Sequence, residues 1–300
     1  MRLLMDAAPE LHWATAHAVA KLGRGDLPAV SRPEAHRYVA SIRRYARESA
    51  ELAATAMQVP ARGASSIRVV DRDGWVAAAT SVAQAAIDSL GWPRRAPTLW
   101  RPLIARVLGA GVGAGLGVGS RWMLGQYDAF SGSRTLYLVA PNLWRMQHRN
   151  GFDERSFLLW VAVHEQTHAL QFDRAPWLVG YLGELVSDAG SRASIDRIIA
   201  TMTFLEGHAD YVSDRTGRIR QVRHMRRVLE RARPQRGGGL FDKGTQYAQG
   251  RMFCLKVQQM HADAGPDALN PLDAAFAAAE NLPTREEIQN PALWVGRVHG

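Results

Sequence analysis

The chain has 300 residues, 47% of them hydrophobic, and a formal charge of +9 at neutral pH. That composition points to a soluble globular protein with a sizeable core, as one large domain or two coupled helical parts. The single Cys254 excludes an intrachain disulfide and fits a reducing cytosol, where its setting between Phe253 and Leu255 makes it a small core residue.

At the N-terminus, Met1 to Asp6 lacks the apolar stretch of an export signal, so the expected location is cytoplasmic. Pro33 to Ala56 is expected to form a long helix, because Tyr38, Ile42, Tyr45, Ala46, Leu52 and Ala53 keep helical spacing among Arg and Glu. A short strand at Ile67 to Val70 and a second helix at Val76 to Leu90 follow. The turn cluster from Trp92 to Pro102 places a boundary near residue 95. It separates a helical N-terminal part, 1–95, from a catalytic part, 96–300, packed together as one unit.

Leu103 to Gly119 is apolar, yet it is shorter than the roughly 20 residues of a membrane span and contains Arg106, so no membrane association is expected. Its glycines recur at 109, 113 and 117 and again at 111, 115 and 119, which predicts a tightly packed buried helix. A dinucleotide loop is rejected for Gly109 to Ala114, because no strand precedes it. Thr135 to Val139 is rich in strand-forming residues and is expected to be a strand.

His164-Glu165-Gln166-Thr167-His168 carries the chemistry. Residues four apart on a helix lie one above the other, so His164 and His168 can converge on one ion while Glu165 stands beside it as a general base. A chance H-E-x-x-H in this composition is expected at about the 1% level. The apolar run from Phe157 to Val163, continued by Ala169, Leu170 and Phe172 before Pro176, predicts a buried helix of about 16 residues. Two histidines and a carboxylate on such a helix are costly without a cation.

A tetrahedral zinc ion needs a third protein ligand. The residues after His168 read Ala-Leu-Gln-Phe-Asp-Arg and exclude a third histidine in H-x-x-G-x-x-H form. Two later segments pair carboxylates four apart: Glu184 with Asp188, and Glu206 with Asp210. Apolar Met202, Phe204, Leu205 and Tyr211 frame Glu206, whereas Asp188 runs into Ala189-Gly190-Ser191, so Glu206 is favoured and Glu184 is assigned to a surface helix end. Asp210 is then expected to accept the free ring N–H of one ligand histidine. Gly207 is expected to let its helix approach the motif helix closely, and His208 is placed behind the ligands or on the substrate side.

The segments VAVHEQTHALQF and FLEGHADYVSD resemble bacterial zincin-like metallopeptidases associated with deazaflavin-coenzyme biosynthesis, as do SRWMLGQYDAF (120–130), LYLVAPN (136–142) and NLPTREEI (281–288). The resemblance covers roughly residues 100 to 300. It implies an α+β, predominantly helical zincin-like fold with a small sheet beside the active-site helix. His164, His168 and Glu206 would bind Zn2+, with Glu165 as the base acting on an amide of a peptide or protein substrate. It also implies that Thr135 to Val139 is an edge strand able to pair with an extended peptide. Tyr211, His224 and Tyr247 are candidate donors to the oxyanion.

Nine arginines between Arg215 and Arg236 raise a different function, an interaction module for nucleic acid or another anionic partner. Ile219, Val222, Met225, Val228 and Leu229 give this stretch an apolar face, which makes the arginines the solvated side of an amphipathic helix. Arg233 to Gly239 is expected to be an exposed loop. A zinc-binding scaffold without proteolysis is the remaining alternative, and the oligomeric state is not readable from the sequence.

Overall fold

The computed structural model describes residues 10–60, 62–89, 101–188, 190–232, 243–261 and 270–300. The chain divides into two compact units, Met1–Arg44 with Ser65–Gly151, and Tyr45–Ala64 with Phe152–Gly300. The boundary expected near residue 95 and the loop expected at Arg233 to Gly239 lie outside the described residues.

Helix α1 (Trp13–Gly23) opens the first unit, followed by α2 (Arg32–Met57), which runs on into the second. Then come β1 (Ser66–Val70), α3 (Arg72–Ser89), α4 (Arg101–Gly119), β2 (Gly125–Tyr127), β3 (Thr135–Val139) and α5 (Ala140–Asn150). Helix α3 begins four residues earlier than its apolar periodicity predicts, because the Asp71 carboxylate accepts the Gly74 amide at 2.8 Å and caps the first turn.

The sheet has the order β1-β3-β2, with β1 parallel to β3 and β2 antiparallel to it. Thr135 to Val139 is therefore a strand, but not an edge strand. Its register pairs Ser66 with Thr135 on one side and Gly125 with Leu138 on the other. Four of its five side chains are buried, as a central strand covered on both faces requires. Both hydrogen-bonding edges are taken over most of its length, so it has no free edge on which a peptide could pair.

The expectation for α4 also needs correcting. The 109/113/117 stripe packs on α1: a Cβ at Gly109 would lie 2.6 Å from the His12 carbonyl oxygen, and one at Gly113 would collide with the Ala16 carbonyl. At Gly111 and Gly115, by contrast, a Cβ would meet nothing within 4 Å. Only 22% of the Pro102–Gly119 window is buried, so α4 is closely packed on one stripe and open elsewhere.

The second unit is helical: α6 (Glu154–Arg174), α7 (Leu178–Ser187), α8 (Arg192–Arg215), α9 (Val222–Ala232), α10 (Lys243–Met260), α11 (Arg285–Gln289) and α12 (Pro291–His299), with short 3-10 turns at Pro271–Phe276 and Ala279–Asn281. Helix α6 is longer than its apolar run because Asp153 caps it, accepting the Ser156 amide at 2.9 Å. It ends before Pro176, where the chain can no longer continue the hydrogen-bond ladder. Val163 and Leu170 of α6, Phe204 and Leu205 of α8, and Phe253, Cys254 and Val257 of α10 share one core with Phe276 and Trp294. Cys254 is fully buried there, and burial pushes its thiol pKa up.

Candidate metal centre

The motif helix is held in place by its own middle residues. Gln166 is buried, and its side-chain oxygen accepts the Ala64 amide at 2.9 Å, tying α6 to the segment that follows α2. Thr167 turns its hydroxyl back to the Val163 carbonyl at 2.8 Å. That leaves His164, Glu165 and His168 on the partly exposed side of an otherwise buried helix.

Helix α8 brings Glu206 to them. Its Oε2 lies 3.1 Å from His164 Nε2 and 3.6 Å from His168 Nε2, and the two imidazole nitrogens are 3.2 Å apart. Among the described residues these three form the one group of metal-ligating side chains with converging donor atoms. Ligands about 2.0–2.1 Å from a tetrahedral ion sit about 3.3 Å from one another. The observed triangle is the face of such a tetrahedron. The three side chains are 13%, 16% and 17% exposed, so the group is sunk in the protein yet open on one side. Glu184, the rival carboxylate, is exposed near the end of α7.

The groups behind the ligands decide which ring nitrogens face the centre. The Gln171 side-chain nitrogen donates to the Leu205 carbonyl at 2.9 Å and to His208 Nδ1 at 3.0 Å, which leaves Gln171 Oε1 as an acceptor, 2.9 Å from His168 Nδ1. His168 therefore carries its proton on Nδ1, and its Nε2 lone pair points to the centre. His208 can accept from Gln171 because burial, with the neighbouring His168, lowers its pKa to about 3 and keeps it neutral. His164 Nδ1 faces Asp210 Oδ1 at 3.6 Å, which turns its Nε2 the same way. Two imidazole lone pairs 3.2 Å apart repel unless a cation or a proton lies between them.

The charge balance asks for the same thing. Burial disfavours a charged His164, but Asp210 and Glu206 outweigh it and raise its pKa to about 10. Burial likewise opposes a charged Glu206, yet the two histidines hold its carboxyl well below the usual range. The site thus stabilises positive charge between the histidines and Glu206, and a divalent cation meets that demand with the donor set of a zinc site.

A model of the zincin-like metallopeptidases matches residues 11–197 and 184–295. The chain belongs to that family. Among solved structures, this zincin-like protein is similar to a provisionally assigned hydrolase with a novel fold from Chloroflexus aurantiacus, at 28% identity and a TM-score of 0.74. The likeness covers 96% of this chain and 98% of that one. No curated protein matches it.

Two features of this zincin-like site escape a reading of the sequence. Gln171 stands where the H-x-x-G-x-x-H form would have its glycine and draws no role from the motif, although it follows His168 by three positions and so shares its face. Arg226 falls among the arginines expected on the solvated side, yet its side chain is 12% exposed. It reaches Asp210 at 3.3 Å and Asp214 at 2.9 Å. The signal was its place four residues after Val222 and beside Met225, on the edge of the apolar stripe of α9.

Gly207 does not serve the contact for which it was expected. One residue beyond Glu206 it is turned about 100° around α8, and a Cβ there would collide with the backbone of Gly250 and Arg251 on α10, not with α6. His208 lies behind the ligands, its ring against Phe204 and Phe276. Of the oxyanion candidates, the Tyr211 hydroxyl donates to Gln258 Oε1 at 3.2 Å and accepts from Arg215 at 2.8 Å. His224 sets its ring edge-on to Phe152. The Tyr247 side chain lies outside the described residues.

Proposed function

We propose that the protein is a zinc-dependent metallopeptidase in which His164, His168 and Glu206 hold Zn2+ and Glu165 is the general base. The observation that carries this reading is the 3.1, 3.2 and 3.6 Å triangle of donor atoms, with the imidazole lone pairs turned inward. A zinc ion held there supplies Lewis acidity and makes a water molecule acidic near neutral pH. Glu165 follows His164 on the same turn, and its charge acts on His168. It takes the proton of the attacking water as oxygen bonds to the carbonyl carbon, and returns it to the amine as the C–N bond breaks. Asp210, held by Arg226, orients His164, and Gln171, held by Leu205 and His208, orients His168.

Family membership supports a peptide or protein substrate. A cytoplasmic setting is supported by the lone, buried Cys254. An association with deazaflavin-coenzyme biosynthesis is supported by the resembling segments alone. The test is metal analysis of purified protein together with cleavage of an unbiased peptide library. We expect about one zinc per chain, lost in His164→Ala and His168→Ala. Glu165→Gln should keep the metal and lose cleavage by at least about 100-fold. Zinc retained by wild-type protein without any cleavage would favour a zinc-binding scaffold, and protein without metal would end both readings.

A further inference from the structure

The first unit carries a surface that the metal centre does not use. Among the described residues twelve large apolar side chains are exposed, and eight of them lie in α1, α4 or the four residues that follow each. The exposure is substantial: Leu22 is 86% exposed, Val107 64%, Trp122 57%, Ile104 55%, Leu103 54% and Val118 54%. On α4 the residues 103, 104, 107, 111, 115 and 118 repeat at helical spacing, so they form one outward face. Its opposite stripe, 109, 113 and 117, is locked against Ala16, Ala20 and Gly23 of α1. The two helices run parallel, with His12 near Gly109, Ala16 at Gly113 and Ala20 at Gly117.

Two ordinary explanations of an apolar 18-residue helix fail here. A core helix would be mostly buried, and this one is not. An export leader would stand at the N-terminus, whereas this segment begins at Pro102. An exposed apolar patch on this scale marks a docking surface, and the charges say for what. From Leu11 to Gly25 and from Arg101 to Leu124 there is no Asp or Glu, while Lys21, Arg106 and Arg121 supply cations and Arg24 is paired with Asp73 of α3. A second copy of the same face would set Lys21, Arg106 and Arg121 against themselves, with no acid in either stretch to meet them. An anionic lipid surface meets both the apolar stripe and the cations, and Trp122 at the end of α4 suits the headgroup level.

We propose that the outward face of α4, with the adjoining end of α1, docks in the plane of an anionic membrane surface. Insertion is shallow and does not cross the bilayer. Helix α4 is about 28 Å long, carries Arg106 within its first two turns, and is bound along one side to α1. Its apolar residues enter the acyl boundary while Arg106 and Lys21 stay at the phosphates.

The experiment is co-sedimentation of the full chain with vesicles of phosphatidylcholine, either alone or with about one-third phosphatidylglycerol. Wild type should pellet with the anionic vesicles, and binding should weaken as salt is raised. The double variant Ile104→Asp and Val107→Asp should lose at least about tenfold in partitioning, and Arg106→Glu should weaken binding to the anionic vesicles only. Both sites are exposed, so helicity and zinc content should stay at the wild-type level, which separates a docking defect from misfolding. Wild type that fails to pellet with anionic vesicles overturns the proposal. So does a concentration-dependent dimer in sedimentation equilibrium that the double variant dissolves, because the face would then belong to a second copy.

Discussion

Glycine brings helices into backbone contact in both units, and the two contacts leave opposite faces behind. In the second unit α8 and α10 meet where Gly207 opposes Gly250, and the residues flanking Gly207 on α8, Glu206 and Asp210, face the histidines of α6. In the first unit α1 and α4 meet along Gly109, Gly113 and Gly117, and the face of α4 opposite that stripe carries Leu, Ile and Val open to solvent. A small-residue stripe therefore reports that a backbone comes close. It says nothing of what the neighbouring positions will face, because each is rotated about 100° further round the helix.

The strongest way to break the comparison is to fill the contacts. Gly207→Val should destabilise the protein by more than about 4 kcal/mol, since the obstacle is the Gly250–Arg251 backbone, which cannot swing aside. Zinc should be lost with it, as read by urea denaturation alongside metal analysis. Gly113→Val meets the Ala16 backbone in the same way and should also lower stability. It lies outside the ligand set, so the folded fraction should bind zinc with unchanged affinity.

Next in size is Gln171→Leu. It removes the acceptor that holds the His168 proton on Nδ1, and should weaken zinc binding about 10- to 100-fold in a chelator competition. Arg226→Met should act in the same direction through Asp210 and His164, and by less, because the Asp210–His164 contact is longer. A smaller effect of opposite sign is expected at the open stripe of α4. There Gly111→Ala meets no neighbour and should stabilise the first unit by about 0.5–1 kcal/mol in thermal or urea unfolding.

The smallest expected effect depends on pH. Burial raises the Glu287 pKa, but Arg297 at 2.6 Å and the capping box with Thr284 lower it by more. A carboxyl whose pKa is depressed in the folded state contributes stability above its unfolded pKa, near 4.3. That contribution fades as pH falls through the folded value. Glu287→Gln should therefore cost little at pH 3 and more at pH 7, with a modest difference because Arg297 is 38% exposed. Equal losses at both pH values would show that the pair acts through packing and the cap alone.

Local chemistry was readable where a side chain's neighbours lie within one turn. His164, Glu165 and His168 follow from a spacing of four, Pro176 stops α6, and the apolar periodicity of residues 33–56 reappears in α2. Even the favoured third ligand came from the apolar frame of Glu206. Gln171 sat in the same window, but its role depends on the Leu205 carbonyl and His208, thirty-odd residues away. Strand β3 was recognisable as a strand. Its central position was not, because that depends on β1, sixty-nine residues earlier, taking one of its edges.

The sequence by itself determined that His164 and His168 share one face of a helix with Glu165 beside them, because the α-helix converts a four-residue spacing into a shared face. Only the tertiary structure decided that the donor atoms converge at 3.1 to 3.6 Å with both Nε2 atoms inward. That orientation depends on hydrogen bonds from a helix some forty residues further along the chain. The same holds for α4: its glycines foretold a close contact, and only the packing showed which stripe makes it and which apolar face stays exposed.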